Sequence, residues 1–143
     1  MRKLLRGKKM KSEKGVAAVE FALVLPLLVL LAFGIIEFSL ALYDKAVITN
    51  ASREAARAGI VYRVPPVTDG EIAAVVNNYC QSRLVTFGSG GQPASTIVRE
   101  GNAPGDDLRV SVQYPYNFLV LPGFVKQLTG SIVLTAETVM RME

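Results

Sequence analysis

The chain has 143 residues, no histidine, one cysteine and a formal net charge of +4, and half of its residues are hydrophobic. That length allows one modest domain, a single cysteine closes no internal disulfide, and the lack of histidine removes imidazole catalysis and most zinc sites. A basic nucleic-acid face is excluded as well: residues 1–14 carry seven Lys/Arg against Glu13, so the remainder sums to −2.

That basic stretch, 1–15, is a leader. After it, sixteen residues between Glu20 and Glu37, Phe21 to Ile36, contain no charge. Lys/Arg beside an apolar span stays in the cytoplasm. The arrangement therefore predicts a transmembrane helix over 16–43, with the N-terminus cytoplasmic and residues 44–143 beyond the inner membrane. The charge-free part alone is about 24 Å long, shorter than a hydrocarbon core of about 30 Å. Spanning then needs the flanking apolar residues, which draws Glu20 and Glu37 toward the acyl boundary. Pro26 removes the hydrogen bond that the Ala22 carbonyl would accept and predicts a kink.

Past the span the helical pattern continues from Asp44 to Ile60, with Val47, Ala51, Ala55, Ala58 and Tyr62 along one small-residue stripe. Arg53, Glu54 and Arg57 face away from it, and Gly59 followed by Pro65-Pro66 ends the run. Thr68-Asp69-Gly70-Glu71 has the form of a capping box and opens a second helix to about Leu84. Ile72, Val75, Val76 and Tyr79 make its inner face, and Cys80 is a buried packing residue. Gly88 to Pro93 reads as a linker; no phosphate-binding fingerprint fits it.

The last third alternates. Ser95–Glu100 is a short strand, and 102–106 is a turn by composition. Leu108, Val110, Val112 and Tyr114 form the buried side of a second strand, and Ile132, Leu134, Ala136, Thr138 and Met140 that of a third. Between them the apolar excursion 115–124 packs across the sheet, or touches a partner or the bilayer surface. The expected class is α+β: a long N-terminal transmembrane helix continuing into a small domain with a second helix and an antiparallel sheet of about three strands.

The spacing Gly15-Val16-Ala17-Ala18-Val19-Glu20-Phe21 resembles the processing site of type IV pilins and pseudopilins. Cleavage after Gly15 by a prepilin peptidase would make Val16 the new N-terminus and Glu20 the fifth mature residue. A carboxylate at the edge of hydrocarbon is costly unless paired or protonated. The α-amino group of a neighbour's Val16 is a natural partner for Glu20; the plainer reading leaves Glu20 in the headgroup region.

The run AVEFALVLPLLVLLAFGIIEFSLALY, followed by ASREAARAGI, is similar to the TadE-like family, pseudopilins of the tight-adherence (Flp) pilus systems of bacteria. The tail VSVQYPY…LPG…GSIVLTAETVMRME also looks like that family's C-terminal strands. The resemblance implies a pilin-like fold and a peptidase-processed inner-membrane protein needed for pilus assembly. Its implied partners are the peptidase, other pilins and pseudopilins, the assembly platform and membrane lipid. Unlike many pilins, this chain has no cysteine pair to close its C-terminal region.

Two other readings stay open. Ser39-Leu40-Ala41 is a small-x-small site that could release a secreted binding module, or the helix could be an uncleaved single-pass anchor. An enzyme is the weakest reading. No catalytic residue, metal ligand or cofactor is expected, and Asp106-Asp107 is better read as part of a turn than as an acid pair.

Overall fold

In a computed structural model, residues 9–85, 91–118 and 132–142 can be described. They form α1 (Lys9–Gly59), α2 (Asp69–Gln81), β1 (Ala94–Arg99), β2 (Asp107–Tyr116) and β3 (Ile132–Arg141). The class is α+β, with a long apolar N-terminal helix, a second helix and an antiparallel sheet in the order β1-β2-β3. The chain divides into two compact units, Met1–Ile36 and Glu37–Glu143, and α1 contributes residues to both.

In the first unit every residue from Lys14 to Ile36 is exposed except the half-buried Gly34. A helix that is apolar all round and exposed along its length must find lipid or a partner. Its most apolar 18-residue window has a mean hydropathy of 2.7, long enough and apolar enough to cross a membrane. Pro26 lies inside α1, and the helix runs through it.

The second unit is built on the remainder of α1. Its buried stripe is Glu37, Asp44, Val47, Ile48, Ala51, Ser52, Ala55, Ala56 and Gly59, recurring at three and four residues as a single helical face requires. Arg53, Glu54 and Arg57 are exposed as expected, and Glu54 and Arg57 approach to 4.0 Å. Two details differ from the sequence expectation. Tyr62 is 75% exposed, because the helix ends at Gly59 before the stripe can reach it. The buried face is also wider than the expected stripe: Ile48, Ser52 and Ala56 are buried beside Val47, Ala51 and Ala55, and Ala58 is only half-buried.

Gly59 sits where the elements crowd together. A Cβ there would fall within 2.7 Å of Ile72 Cδ1 and nearer still to Leu108 Cδ2. Glycine ends the helix here and lets α2 and β2 approach it together.

The capping box forms as its sequence predicts: the Glu71 amide donates to Thr68 Oγ1 at 3.2 Å, and the Thr68 amide donates to Glu71 Oε2 at 2.7 Å. Arg63, 2.7 Å from Glu71, is the main cause holding that carboxyl down at about 2. The helix stops at Gln81, three residues short of the expected end, and buries Ile72, Val76 and Cys80. Arg99 on β1 reaches back to the start of α2, donating to Asp69 Oδ1 at 2.8 Å and to the Val67 carbonyl at 2.6 Å.

β2 is central in the sheet and carries the core. Leu108, Val110, Val112, Tyr114 and Tyr116 are all buried, alternating with more exposed neighbours. The register sets Ile97 and Thr138 on either side of Val110, and Ala136 beside Val112. β2 also takes in Pro115 and Tyr116, which the sequence had suggested for the apolar excursion, and Ile132 at the start of β3 is 39% exposed rather than buried. Asn117 and Phe118 follow the strand, while 119–124 of that excursion lie outside the described residues, as do 88–90 of the expected linker. Across the outer face Arg109 pairs with Glu137, and Arg141 with Asp107 at 3.4 Å. Exposed pairs like these add little stability.

Truncating the buried Leu108 to Ala should cost about 2–5 kcal/mol through lost burial and a residual cavity. Val139→Ala on the outer face of the same sheet, 45% exposed, should stay within about 0.5 kcal/mol. Denaturant unfolding of the detergent-solubilised full chain, followed by circular dichroism, measures both; equal losses would show that β2 does not carry the core.

Candidate functional site

Gly15, Val16, Glu20 and Phe21 all lie on α1 in the first unit, with exposed side chains and, at Gly15, open space where a Cβ would project. Val16 is 56% exposed and Phe21 64%. They present a helix surface of small and apolar side chains carrying one acid, Glu20. An acid on such a surface is costly beside hydrocarbon unless it meets a cation or a proton.

The second group was not foreseen as a cluster. Glu37, Asp44 and Ser52 are the buried polar or charged residues of the described chain, and all three lie on the packed stripe of α1. Glu37 is 2% exposed, and the hydroxyl of Tyr116 donates to its Oε1 at 2.6 Å, with a weaker approach to its backbone carbonyl at 3.3 Å. Burial first, and then this bond, raise the Tyr116 phenol above its ordinary range. The hydroxyl is thus a fixed donor at any ordinary pH.

Two turns on, Asp44 accepts the Val85 amide on Oδ1 at 2.9 Å, while its buried Oδ2 meets no hydrogen-bond partner among the described residues. Burial raises its carboxyl, and the Val85 amide offsets part of that rise. Burial likewise pushes up the Cys80 thiol and the Tyr114 phenol, both of which face Asp44. A thiol held in its neutral form is a poor nucleophile. Ser52 donates to the Thr49 carbonyl and shares a hydrogen bond of 2.7 Å with Thr138 on β3. Lys45 donates to the Thr135 carbonyl of the same strand. Together these contacts fix the helix against β2 and β3 both along and around its axis.

A usable signal for the acids did exist. Glu37 and Asp44 are seven residues apart, in phase with Ile48, Ala51 and Ala55, so the helical period alone puts both acids on the buried face. Nothing in the sequence indicated that Tyr116 would cover one of them. A recess beside α2, lined by Asn77, Cys80, Leu84 and Pro93, has no charged side chain among its described residues.

Residues 15–57 match the family model described as TadE-like protein. The match opens on Gly15, runs along α1 and ends at Arg57, just before the glycine that stops the helix. It covers under a third of the chain and does not extend to the C-terminal strands. No curated protein and no solved structure matched the chain.

An acid whose pKa is raised by folding destabilises the fold as it ionises. Stability should therefore fall as pH rises from the unfolded value of 3.8 through the raised folded value. Asp44→Asn keeps an acceptor for the Val85 amide and cannot ionise, so it should flatten that decline as pH rises above 3.8. Melting temperatures of the two full-length chains across this range decide the matter. Parallel slopes would mean that Asp44 is ionised and solvated in the fold.

Proposed function

We propose that this chain is a membrane-anchored pseudopilin of a tight-adherence pilus assembly, processed by a prepilin peptidase after Gly15 and acting through helix packing. The supporting observation is that the family match opens at Gly15 and runs along a helix that carries an uncharged, largely exposed block from Phe21 to Ile36. In this reading the basic leader stays in the cytoplasm, the helix crosses the inner membrane, and the unit from Glu37 onward lies on the periplasmic or extracellular side. The chain supplies position rather than chemistry. Its partners are the peptidase, neighbouring pilins and the assembly platform, with no cofactor and no nucleic acid.

Each residue of the processing region has a role in this scheme. Gly15 lets the backbone unwind into the peptidase without an obstructing side chain. Val16 supplies the new α-amino group, and Glu20 of an adjacent subunit pairs with it, which fixes the axial register between packed helices. Phe21 and the aliphatic residues beyond it pack against lipid or neighbours, and Pro26 is where the helix can bend.

Release by cleavage after Ala41 is disfavoured on physical grounds. It would cut α1 between Glu37 and Asp44, removing the carboxylate that Tyr116 holds and leaving a buried hydroxyl unpaired.

Replacing Gly15 by Val should block processing, so that the protein recovered from cells containing the pilus peptidase is heavier by residues 1–15. Intact-mass spectrometry reads this directly, and a mutant with wild-type mass would place processing elsewhere or nowhere. Glu20→Ala removes a charge near hydrocarbon, so insertion and cleavage should remain normal. Filament counts by electron microscopy should nevertheless collapse, since a neighbour's amine would be left unpaired among packed helices. Glu20→Asp should fall between. Normal piliation in Glu20→Ala would reduce Glu20 to an ordinary interfacial residue.

A further inference from the structure

The unit from Glu37 onward has two distinguishable ends. α1 runs antiparallel to β2 within it: Glu37 meets Tyr116, Ser52 meets Thr138, and Gly59 lies against Leu108. Tyr116 pairs across the sheet with Ile132. The end that holds Glu37 is therefore also the end where β2 finishes and β3 begins.

Most of the described side chains exposed at this proximal end are apolar. On α1, Phe38 is 66% exposed, Leu42 54% and Tyr43 48%; on β3, Ile132 and Val133 are 39% and 51% exposed. Phe118 stands edge-on to Tyr116 with ring centroids 5.7 Å apart, closing the same end from inside. Val61, Tyr62 and Val64 form another exposed group, beyond Gly59 at the opposite end, and no apolar helix leads away from it.

We propose that the proximal end is seated in the interfacial layer of a lipid bilayer, with Phe38, Leu42, Tyr43, Ile132 and Val133 against headgroups and upper acyl chains. This rests on reading Val16–Ile36 as the membrane helix. Continuity of the chain selects lipid as the occupant. Val16–Ile36 is about 31 Å long, matching a core of about 30 Å, so Glu37 falls at the bilayer boundary. A carboxylate facing lipid there is costly, and Tyr116 encloses this one in protein. The folded unit thus begins where the bilayer core stops, and the side chains around Glu37 include the aromatic kinds that favour a membrane interface.

The chain contains no tryptophan, so a single introduced tryptophan reports only its own position. The full-length chain in nanodiscs would carry Leu28→Trp in the apolar block, Val133→Trp or Ile132→Trp at the proximal end, or Val139→Trp about 20 Å further along β3. Fluorescence is then compared in lipids brominated near the headgroup and near the acyl terminus. Leu28→Trp should be quenched best by the deep label. At least one of Val133→Trp and Ile132→Trp should be quenched at least twofold more by the shallow label than Val139→Trp. Quenching of Leu28→Trp alone would overturn the seating and keep the membrane helix; loss of quenching in every variant would overturn both. A second copy covering this end would shield both Ile132→Trp and Val133→Trp from lipid, and that result also overturns the proposal.

Discussion

The hydrogen bond from Tyr116 to Glu37 joins the last residue of the central strand to the first residue of the packed half of the long helix. A carboxylate buried to 2% exposure must be hydrogen-bonded or neutral, so the donor has to arrive at that point in space. Once it does, β2 is fixed lengthwise against α1, and its pairings set the registers of β1 and β3. The Ser52–Thr138 and Lys45–Thr135 contacts repeat the fastening on β3. Sliding the sheet along the helix would break all of them and uncover both acids at once.

Small residues make this fastening possible. Ala51, Ala55 and Ala56 keep the helix face low, and Gly59 removes its last side chain where Ile72 and Leu108 converge. Bulky strand residues fill the other side of the contact, with Tyr114 and Leu108 among the largest fully buried side chains. Large opposite small is how a thin sheet and a single helix reach close packing, and here it does so without any disulfide.

Much of this was legible in the residues. The charge-free block, the capping box at Thr68 and the alternation of β2 carry local signals strong enough to fix element type, and the turn at 102–106 follows from its composition. The phase of the helix face was harder to read. Alanine dominates 51–58 and hydrophobicity barely distinguishes its sides, so the stripe through Val47, Ala51 and Ala55 could be read, but its equally buried flank at Asp44, Ile48 and Ser52 could not. The acids themselves held the missing information, but a buried acid is recognisable only with its donor, and Tyr116 is remote in sequence. Of the candidate site, the spacing Gly15–Phe21 was visible because it is local. The cluster around Glu37 and Asp44 was not, because it exists only after long-range pairing.

The order of the chain adds a matter of timing. The donor to Glu37 lies 79 residues later, and the partner of Ser52 lies 86 residues later. At synthesis rates of roughly 5–20 residues per second, the packed face of α1 waits about 4–16 s for its cover. An all-aliphatic stripe would spend that interval as an adhesive strip. Glu37, Asp44 and Ser52 divide it into short apolar patches separated by hydrated groups, which keeps the nascent helix tractable until the sheet closes over it. The same polar atoms that are awkward to bury in the finished fold are protective during its making.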